Sequence, residues 1–434
     1  MKSKFPWIVL AAIHFAFFIC AMNGAHTELK DSAEYLSQSR NIQGGAGWYC
    51  GNLQLPFQEA LLSQRPPLYG LFLSVLQVPP SSHAILFLLQ GVFCFFNCWL
   101  AYRITQMIVN KKIGALLFLL PLVVFPTQFI YANMVMSEML FQTFLLVAIY
   151  FGVQYLRRNR GSDLWKHQLI MTCTFLVKPI TVLLPFVFFF LLAFYLYRKR
   201  ETLLPLFTFI LPLSVVTVVC WHNYSQTKVV EYSSISRKLM INYNVYLLTE
   251  EIKGPEKAFA EIDSVQKAAT MLPYPEQVEL ISSFCLNRIG EHPFRYMSLH
   301  LYGAWRFFMD PCNWELNHFF HADSGEKHIY KLADPSSNRI LSQRNGWLLM
   351  LYTGISVLVN LLLLLTFLIA ILLKNTDAKF RVFLAVIVLY FACMTGPSAS
   401  SRFRLPVFPV LLITFALFSS KIEEEVTLQI KSRD

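Results

Sequence analysis

Apolar runs of membrane-spanning length recur along the chain, divided by short polar stretches. Phe5 to Met22 is the first and follows Lys2 and Lys4. Ala84 to Val109, closed by Lys111 and Lys112, is the second, and Ile113 to Tyr131 the third. Met134 to Leu156 is the fourth and runs into Arg157, Arg158, Arg160 and Lys166. Basic clusters of this kind mark the cytoplasmic side. Gln168 to Tyr197 would be about 45 Å long as one helix at about 1.5 Å per residue, more than a hydrocarbon core of about 30 Å takes without strong tilt. It would also put Arg198, Lys199 and Arg200 outside. The residue before a proline is biased away from helix, so a split at Lys178-Pro179 gives a short re-entrant leg and a full span, and returns that basic cluster to the inside. Leu203 to Trp221 then goes out, and Trp347 to Leu373 comes back to Lys374, Lys379 and Arg381. Val382 to Thr395 goes out again and Leu405 to Phe418 returns. The pattern predicts an all-α polytopic membrane protein of about ten membrane segments, counting the short leg, with both termini inside.

Two polar stretches face outward in this topology. Residues 23–83 form a first outer loop within an N-terminal membrane module, 1–221, and carry D-S-A-E-Y (Asp31 to Tyr35) and R-P-P-L-Y (Arg65 to Tyr69). Residues 222–346 are long enough for a small outer domain, and a C-terminal membrane module, 347–420, and a cytoplasmic tail, 421–434, follow. Glu256 to Leu272 and Glu276 to Ile289 have helical apolar spacing, and Phe294 to Met309 mixes aromatics with Arg295 and Arg306 as an interface-lying helix does. Ala21, Gly24 and Ala25 leave a signal peptide open for the first run. That run exceeds the roughly 7 to 15 apolar residues of a signal peptide, so a retained span is the better reading.

Composition agrees with the pattern: 55% of residues are hydrophobic and 15% charged, so most of the sequence is explained by solubility in lipid. The net charge of +11 would suit nucleic acid, but the Lys and Arg residues fall in short clusters between apolar runs, which is the charge rule of membrane proteins and excludes that partner. Six of the nine cysteines lie in apolar runs; Cys50, Cys285 and Cys312 fall in outer stretches, and an odd number leaves their pairing open.

Candidate chemistry collects at the outer ends of the spans. Asp31 and Glu34 stand just past the first span, where a carboxylate can orient or deprotonate a nucleophile; the plainer reading is a polar exit or a helix start that favours acids. Arg65 before Pro66-Pro67 is a cation on a stiff turn. Glu138 opens the fourth span, where an acid reaching the bilayer interior costs on the order of 2 to 3 kcal/mol. Lys178, Arg402 and Arg404 lie on the side where the charge rule does not call for cations, so an anionic ligand such as a phosphate is weighed against snorkelling anchors. His222 and Asn223, at another outer helix end, are candidates for the same cleft. The chain has no Gly-rich phosphate loop, no zinc-type His/Cys set and no Ser-His-Asp pattern.

D-S-A-E-Y, R-P-P-L-Y, S-E-M-L-F (Ser137 to Phe141), L-V-K-P-I-T (Leu176 to Thr181), W-H-N-Y (Trp221 to Tyr224) and S-R-F-R-L-P-V-F-P (Ser401 to Pro409), in this order, resemble the GT-C-fold integral-membrane glycosyltransferases. The bacterial members related to protein mannosyltransferases and the aminoarabinose transferase are the nearest in pattern. The resemblance runs from about Phe5 to Phe418. It implies a multi-pass inner-membrane enzyme that takes a sugar from a polyprenyl-phosphate carrier to an acceptor on the extracytoplasmic face, by a single inverting displacement. It further implies that Asp31 is the first-loop acid, with Tyr35 its companion aromatic, and that Glu138 is the acid of the fourth span. Arg402 and Arg404, with Lys178 and Arg65, are then assigned by charge to the donor phosphate, and Tyr35, Tyr69, His222 and Asn223 to the substrates. The chain departs from the pattern at Ser32, where a second acid is usual and Glu34 stands displaced, and at Lys178 and His222, where arginine is common. No cofactor is specified, and a divalent metal stays open. The competing classes are a flippase or transporter of lipid-linked sugars and a surface-polysaccharide polymerase. A transporter is expected to show paired half-helices or inverted repeats near mid-membrane, and the sequence shows neither.

Overall fold

A computed structural model describes residues 4–78, 82–109, 119, 121–320, 346–372 and 377–431. Among these residues the regular structure is helical throughout. Among the described residues, eight helical segments are long and apolar enough to cross a membrane: Phe5–Met22, Ala84–Val109, Glu138–Arg158, Pro179–Lys199, Leu204–Thr227, Trp347–Leu372, Ala378–Ser398 and Ser401–Ser419. The chain is therefore an all-α, multi-pass membrane protein. Of the predicted third span, Ile113 to Tyr131, residues 119 and 121–131 are described, and they end in the buried helix Thr127–Ala132.

The predicted hairpin is present, with a longer first leg. Gly161–Val177 is one helix of 17 residues, about 25 Å at about 1.5 Å per residue, rather than a short leg from Gln168. Lys178 is extended, with φ −140° and ψ 126°, because Pro179 crowds a helical conformation at the preceding residue. A 3-10 turn, Pro179–Thr181, leads into the helix Leu184–Lys199.

The expected outer region does not begin at His222. The helix Ile210–Thr227 runs through that point and stops at Lys228, whose φ is +58°. Residues 229–234 then form a strap, followed by the helix Ile235–Leu239, a π-helical turn Met240–Val245, and the helices Tyr246–Lys253, Pro255–Thr270 and Tyr274–Glu291. Ile241, Val245, Ile262 and Cys285 give these helices a small core of their own. The next helices, Pro293–Met309 and Asn313–Phe320, belong instead to the main bundle, where Phe307, Cys312 and Phe319 are fully buried. The described part of region 222–346 thus divides near His292 into a cap and a part of the bundle.

One close approach positions the last turn. Pro293–Met309 crosses the turn Gly396–Ser398 so tightly that a Cβ at Gly303 would overlap the Gly396 carbonyl. Gly396 itself has φ +54°, a conformation glycine adopts without cost, and the His300 ring leaves no room for a side chain there. The turn leads through the four-residue helix Ser401–Arg404 into the final helix, Phe408–Lys431, which continues through the expected start of the tail at Lys421.

Candidate active site

Six segments far apart in sequence bring charged side chains to the same end of the bundle, opposite the end that carries Arg157, Arg158, Arg198, Lys199 and Arg381. The first is the helix Lys30–Gln43, whose start is fixed where Leu29 N–H donates to Ser32 Oγ (2.9 Å), so Asp31 sits in the first turn at the positive end of the helix. The Gln38 amide of that helix donates to the carbonyls of Trp48 (2.8 Å) and Arg65 (2.9 Å), which holds the second segment, the Arg65-Pro66-Pro67 turn, against it. Glu138 opens its long helix, and the Lys178 side chain reaches it from the hairpin break. Arg402 comes from the short helix after Gly396–Ser398, and Lys238 from the cap.

These groups alternate in sign. Lys178 Nζ contacts Glu138 Oε1 at 2.7 Å, and Arg402 spans Glu138 Oε1 (2.6 Å) and Asp31 Oδ2 (2.7 Å). Arg65 spans Asp31 Oδ1 (2.7 Å) and Glu34 Oε2 (2.5 Å), and Lys238 Nζ closes the series on Glu34 Oε1 at 3.2 Å. Four cations thus meet three carboxylates, with one positive charge in excess. Burial alone would raise the Asp31 carboxyl, but Arg65 and then Arg402 outweigh it and hold it well below the usual carboxylate range.

Aromatic groups floor the series. Arg65 lies over the Tyr35 ring (5.1 Å), which meets Tyr69 edge-on (4.8 Å), and Arg402 lies over Tyr131 (5.9 Å). Tyr35 shares a hydrogen bond with Ser137 Oγ (3.0 Å), and the Tyr69 hydroxyl donates to Gln90 (3.3 Å). Among the described residues, Glu138 Oε2 and the Tyr131 hydroxyl are buried without a hydrogen-bond partner, a costly state for polar atoms.

Of the sequence-derived candidates, Asp31, Glu34, Arg65, Glu138, Lys178 and Arg402 meet in one series, with Tyr35 and Tyr69 packed against it. Three others are elsewhere. Arg404 is buried and donates to the carbonyls of Phe308 and Asp310 (2.8 Å to the latter), where it caps the C-terminal end of Pro293–Met309 over the Phe125 ring. Two positions along a helix differ by about 200°, so Arg404 points away from the acids that Arg402 meets. His222 packs on Trp48 (4.3 Å between rings), and Asn223 donates to the carbonyls of Glu231 (2.8 Å) and Tyr232 (3.2 Å), tying down the strap. The continued helix Ile210–Thr227 places both away from the charged series.

The sequence reading missed Lys238, Tyr131 and Glu315. Lys238 lies in a stretch with no motif, and Tyr131 sits at the end of what reads as an ordinary span. Glu315 is buried and accepts from Ser401 Oγ, next to Arg402. Burial, then Asp310, pushes its carboxyl up to about 7. All nine cysteines are free thiols. Cys50 donates to the Leu61 carbonyl (3.0 Å), Cys285 sits in the cap core and Cys312 beside Tyr352 (3.1 Å). Among the described residues no group of three or more His, Cys, Asp or Glu side chains is placed to hold a metal ion.

Compared with known proteins, the chain matches no family model and no curated sequence.

Proposed function

We propose that the protein is an integral-membrane glycosyltransferase that moves a sugar from a polyprenyl-phosphate carrier to an acceptor on the outer side of the inner membrane. The observation that carries this reading is the contact of Arg402 with both Asp31 and Glu138, made across 371 and 264 positions of sequence at the ends of membrane helices. Buried charges are costly, and a protein that needed only a polar helix end would not assemble six largely buried charges and a half-exposed seventh there. A transferase needs both signs close together: cations for the leaving phosphate and an acid for the nucleophile.

In the proposed step an acceptor hydroxyl oxygen attacks the anomeric carbon from the face opposite the phosphate. The bond between that carbon and the phosphate oxygen breaks, its electron pair stays on the phosphate, and the configuration inverts. Arg402 and Lys178 stabilise the charge that grows on the phosphate oxygens. The hydroxyl proton passes to Asp31. In the present arrangement Asp31 is a weak base, because two guanidinium groups hold it ionised. A phosphate that draws Arg402 away removes one of them, so donor binding itself raises the proton affinity of Asp31 when a base is needed.

The test is to incubate purified protein in detergent with labelled polyprenyl-phosphate sugars and a cell-envelope extract. A covalently labelled acceptor is expected. A flippase has no second compartment to serve in detergent and would label nothing, and absence of label with every donor tried would reject the transferase reading.

A further inference from the structure

The charged series is chemically uneven along its length. Every carboxylate in it has two cationic neighbours, whereas the cations differ: Arg65 and Arg402 each span two carboxylates, and the terminal lysines, Lys178 and Lys238, each touch one. A terminal lysine therefore gives up one contact on meeting a ligand, where an inner arginine gives up two. Lys178 is held deep in the bundle over the Phe141 ring (5.8 Å). Lys238 has 41% of its side chain exposed and the longest contact of the series, 3.2 Å. When it leaves, Glu34 keeps its 2.5 Å contact to Arg65.

The backbone that carries Lys238 is, by contrast, firmly held. Ser233 Oγ donates to the Gln64 carbonyl (2.9 Å) and Ser234 Oγ to the Ala60 carbonyl (2.6 Å), so the strap is tied to the segment that presents Arg65. Arg237 is engaged by Glu231 (2.8 Å) and Tyr274 (2.6 Å). Directly after Lys238 comes the π-helical turn Met240–Val245, a rare conformation that recurs at functional sites, and it packs against the Gly396–Ser398 turn leading to Arg402. A fixed backbone with one flexible, half-exposed ammonium at the mouth of a cationic series is an arrangement for capturing an anion. The other three cations balance the three carboxylates, so at the exposed end of the series the charge of Lys238 is the one in excess.

We propose that Lys238 is a donor-binding residue: its ammonium exchanges Glu34 for the phosphate of the lipid carrier, and so takes the place in the phosphate site that the sequence pattern assigned to Arg404. This rests on the glycosyltransferase reading for the identity of the anion, and the exchange itself makes and breaks no covalent bond.

The experiment measures binding of geranylgeranyl phosphate to the full chain in nanodiscs, with inorganic phosphate as a parallel probe. Lys238→Gln is expected to weaken the lipid probe about tenfold, about 1.4 kcal/mol, and Lys238→Arg to recover most of the loss. Lys253→Gln, which removes a cap lysine paired with Glu261, leaves binding as in wild type. Glu34→Gln supplies the sign that separates exchange from a structural role: freed of its carboxylate competitor, Lys238 should bind the probe a few-fold more tightly, which damage to the fold would not do. Inorganic phosphate should bind at least tenfold more weakly than the lipid; equal binding would overturn a lipid carrier as the source of the anion. Lys238→Gln within twofold of wild type, with thermal melting unchanged, would overturn the role of Lys238 while sugar transfer stayed intact. Loss of binding in Lys238→Gln together with no sugar transfer by wild type would instead sink the transferase reading and leave the anion site standing. A wild-type chain that bound neither probe would overturn both.

Discussion

Two charged clusters stand side by side and draw on adjacent residues, Arg237 and Lys238, of the short helix Ile235–Leu239, yet they are built to opposite ends. In the first, Glu231 takes Arg237 on one oxygen (2.8 Å) and the hydroxyls of Ser63 (2.8 Å) and Tyr274 (2.7 Å) on the other, while Arg237 also donates to Tyr274 and lies over its ring. One acid, one base and two neutral hydroxyls close on themselves. In the second, which begins one residue later at Lys238, the charges run on through Glu34, Arg65, Asp31, Arg402, Glu138 and Lys178, end with a cation in excess, and leave Glu138 Oε2 without a partner. A saturated cluster fastens parts of a protein together. An unsaturated one, buried at the same cost, has work left for its free valences.

The contrast breaks most sharply in turnover. Asp31→Asn should cost on the order of 100-fold or more in sugar transfer, as loss of a general base does, and should also lower the melting temperature, because Arg65 and Arg402 lose the carboxylate they share. Near-normal transfer by that variant would make the second cluster as structural as the first. The complementary variant, Glu231→Ala, leaves Arg237 with a neutral hydroxyl alone and should cost about 1.5 to 3 kcal/mol in local stability, the range for losing hydrogen bonds to a charged group. Hydrogen exchange across 229–238 reads this as protection falling by about one to two powers of ten. Unchanged protection there would show that Glu231 does not fasten the strap.

A smaller effect separates the two arginines of the last turn. Arg402→Lys should weaken binding of the lipid-phosphate probe about tenfold, since an ammonium lacks the two-pronged contact that a guanidinium offers to phosphate oxygens. Arg404→Lys should lower the melting temperature and leave probe affinity within about twofold. Affinity loss of equal size in both would return Arg404 to the phosphate site. The smallest effect is in pH. The Asp31 carboxyl, with its folded value depressed by Arg65 and Arg402 against burial, contributes stability that is fully present above its unfolded value of about 3.9 and is lost only as pH falls through the lower folded value. Glu315 has the opposite sign: raised to about 7, it contributes stability that is present below its ordinary value and lost as pH rises through about 7. Wild-type protein should therefore melt lower at pH 8 than at pH 5, and Glu315→Gln should narrow that gap. An unaltered gap would show that Glu315 does not titrate in this window.

How much of this was legible in the sequence follows from the range of the forces involved. The hairpin at Lys178-Pro179 is set by a clash between neighbouring residues, so it could be read directly, whereas the true start of its first leg at Gly161 depends on packing and could not. Asp31, Glu138 and Arg402 were legible because each sits at a helix end within a recognisable motif. Arg404 was misplaced because spacing in the chain does not tell which way a short helix turns its side chains, and His222 and Asn223 because apolarity ends at Trp221 while the helix does not. Lys238 could not be found at all: its partner is 204 positions away, and nothing in its neighbours distinguishes it from a solvated lysine.

The joint between Gly303 and Gly396 carries a further consequence. The turn that aims Arg402 rests there on bare backbone, main chain against main chain, with no side chain between the two to cushion or absorb a shift. Side-chain contacts can be retuned by a rotamer or a methylene, but this one offers no intermediate settings. A shift of Pro293–Met309 at this joint is therefore carried to the turn that holds Arg402.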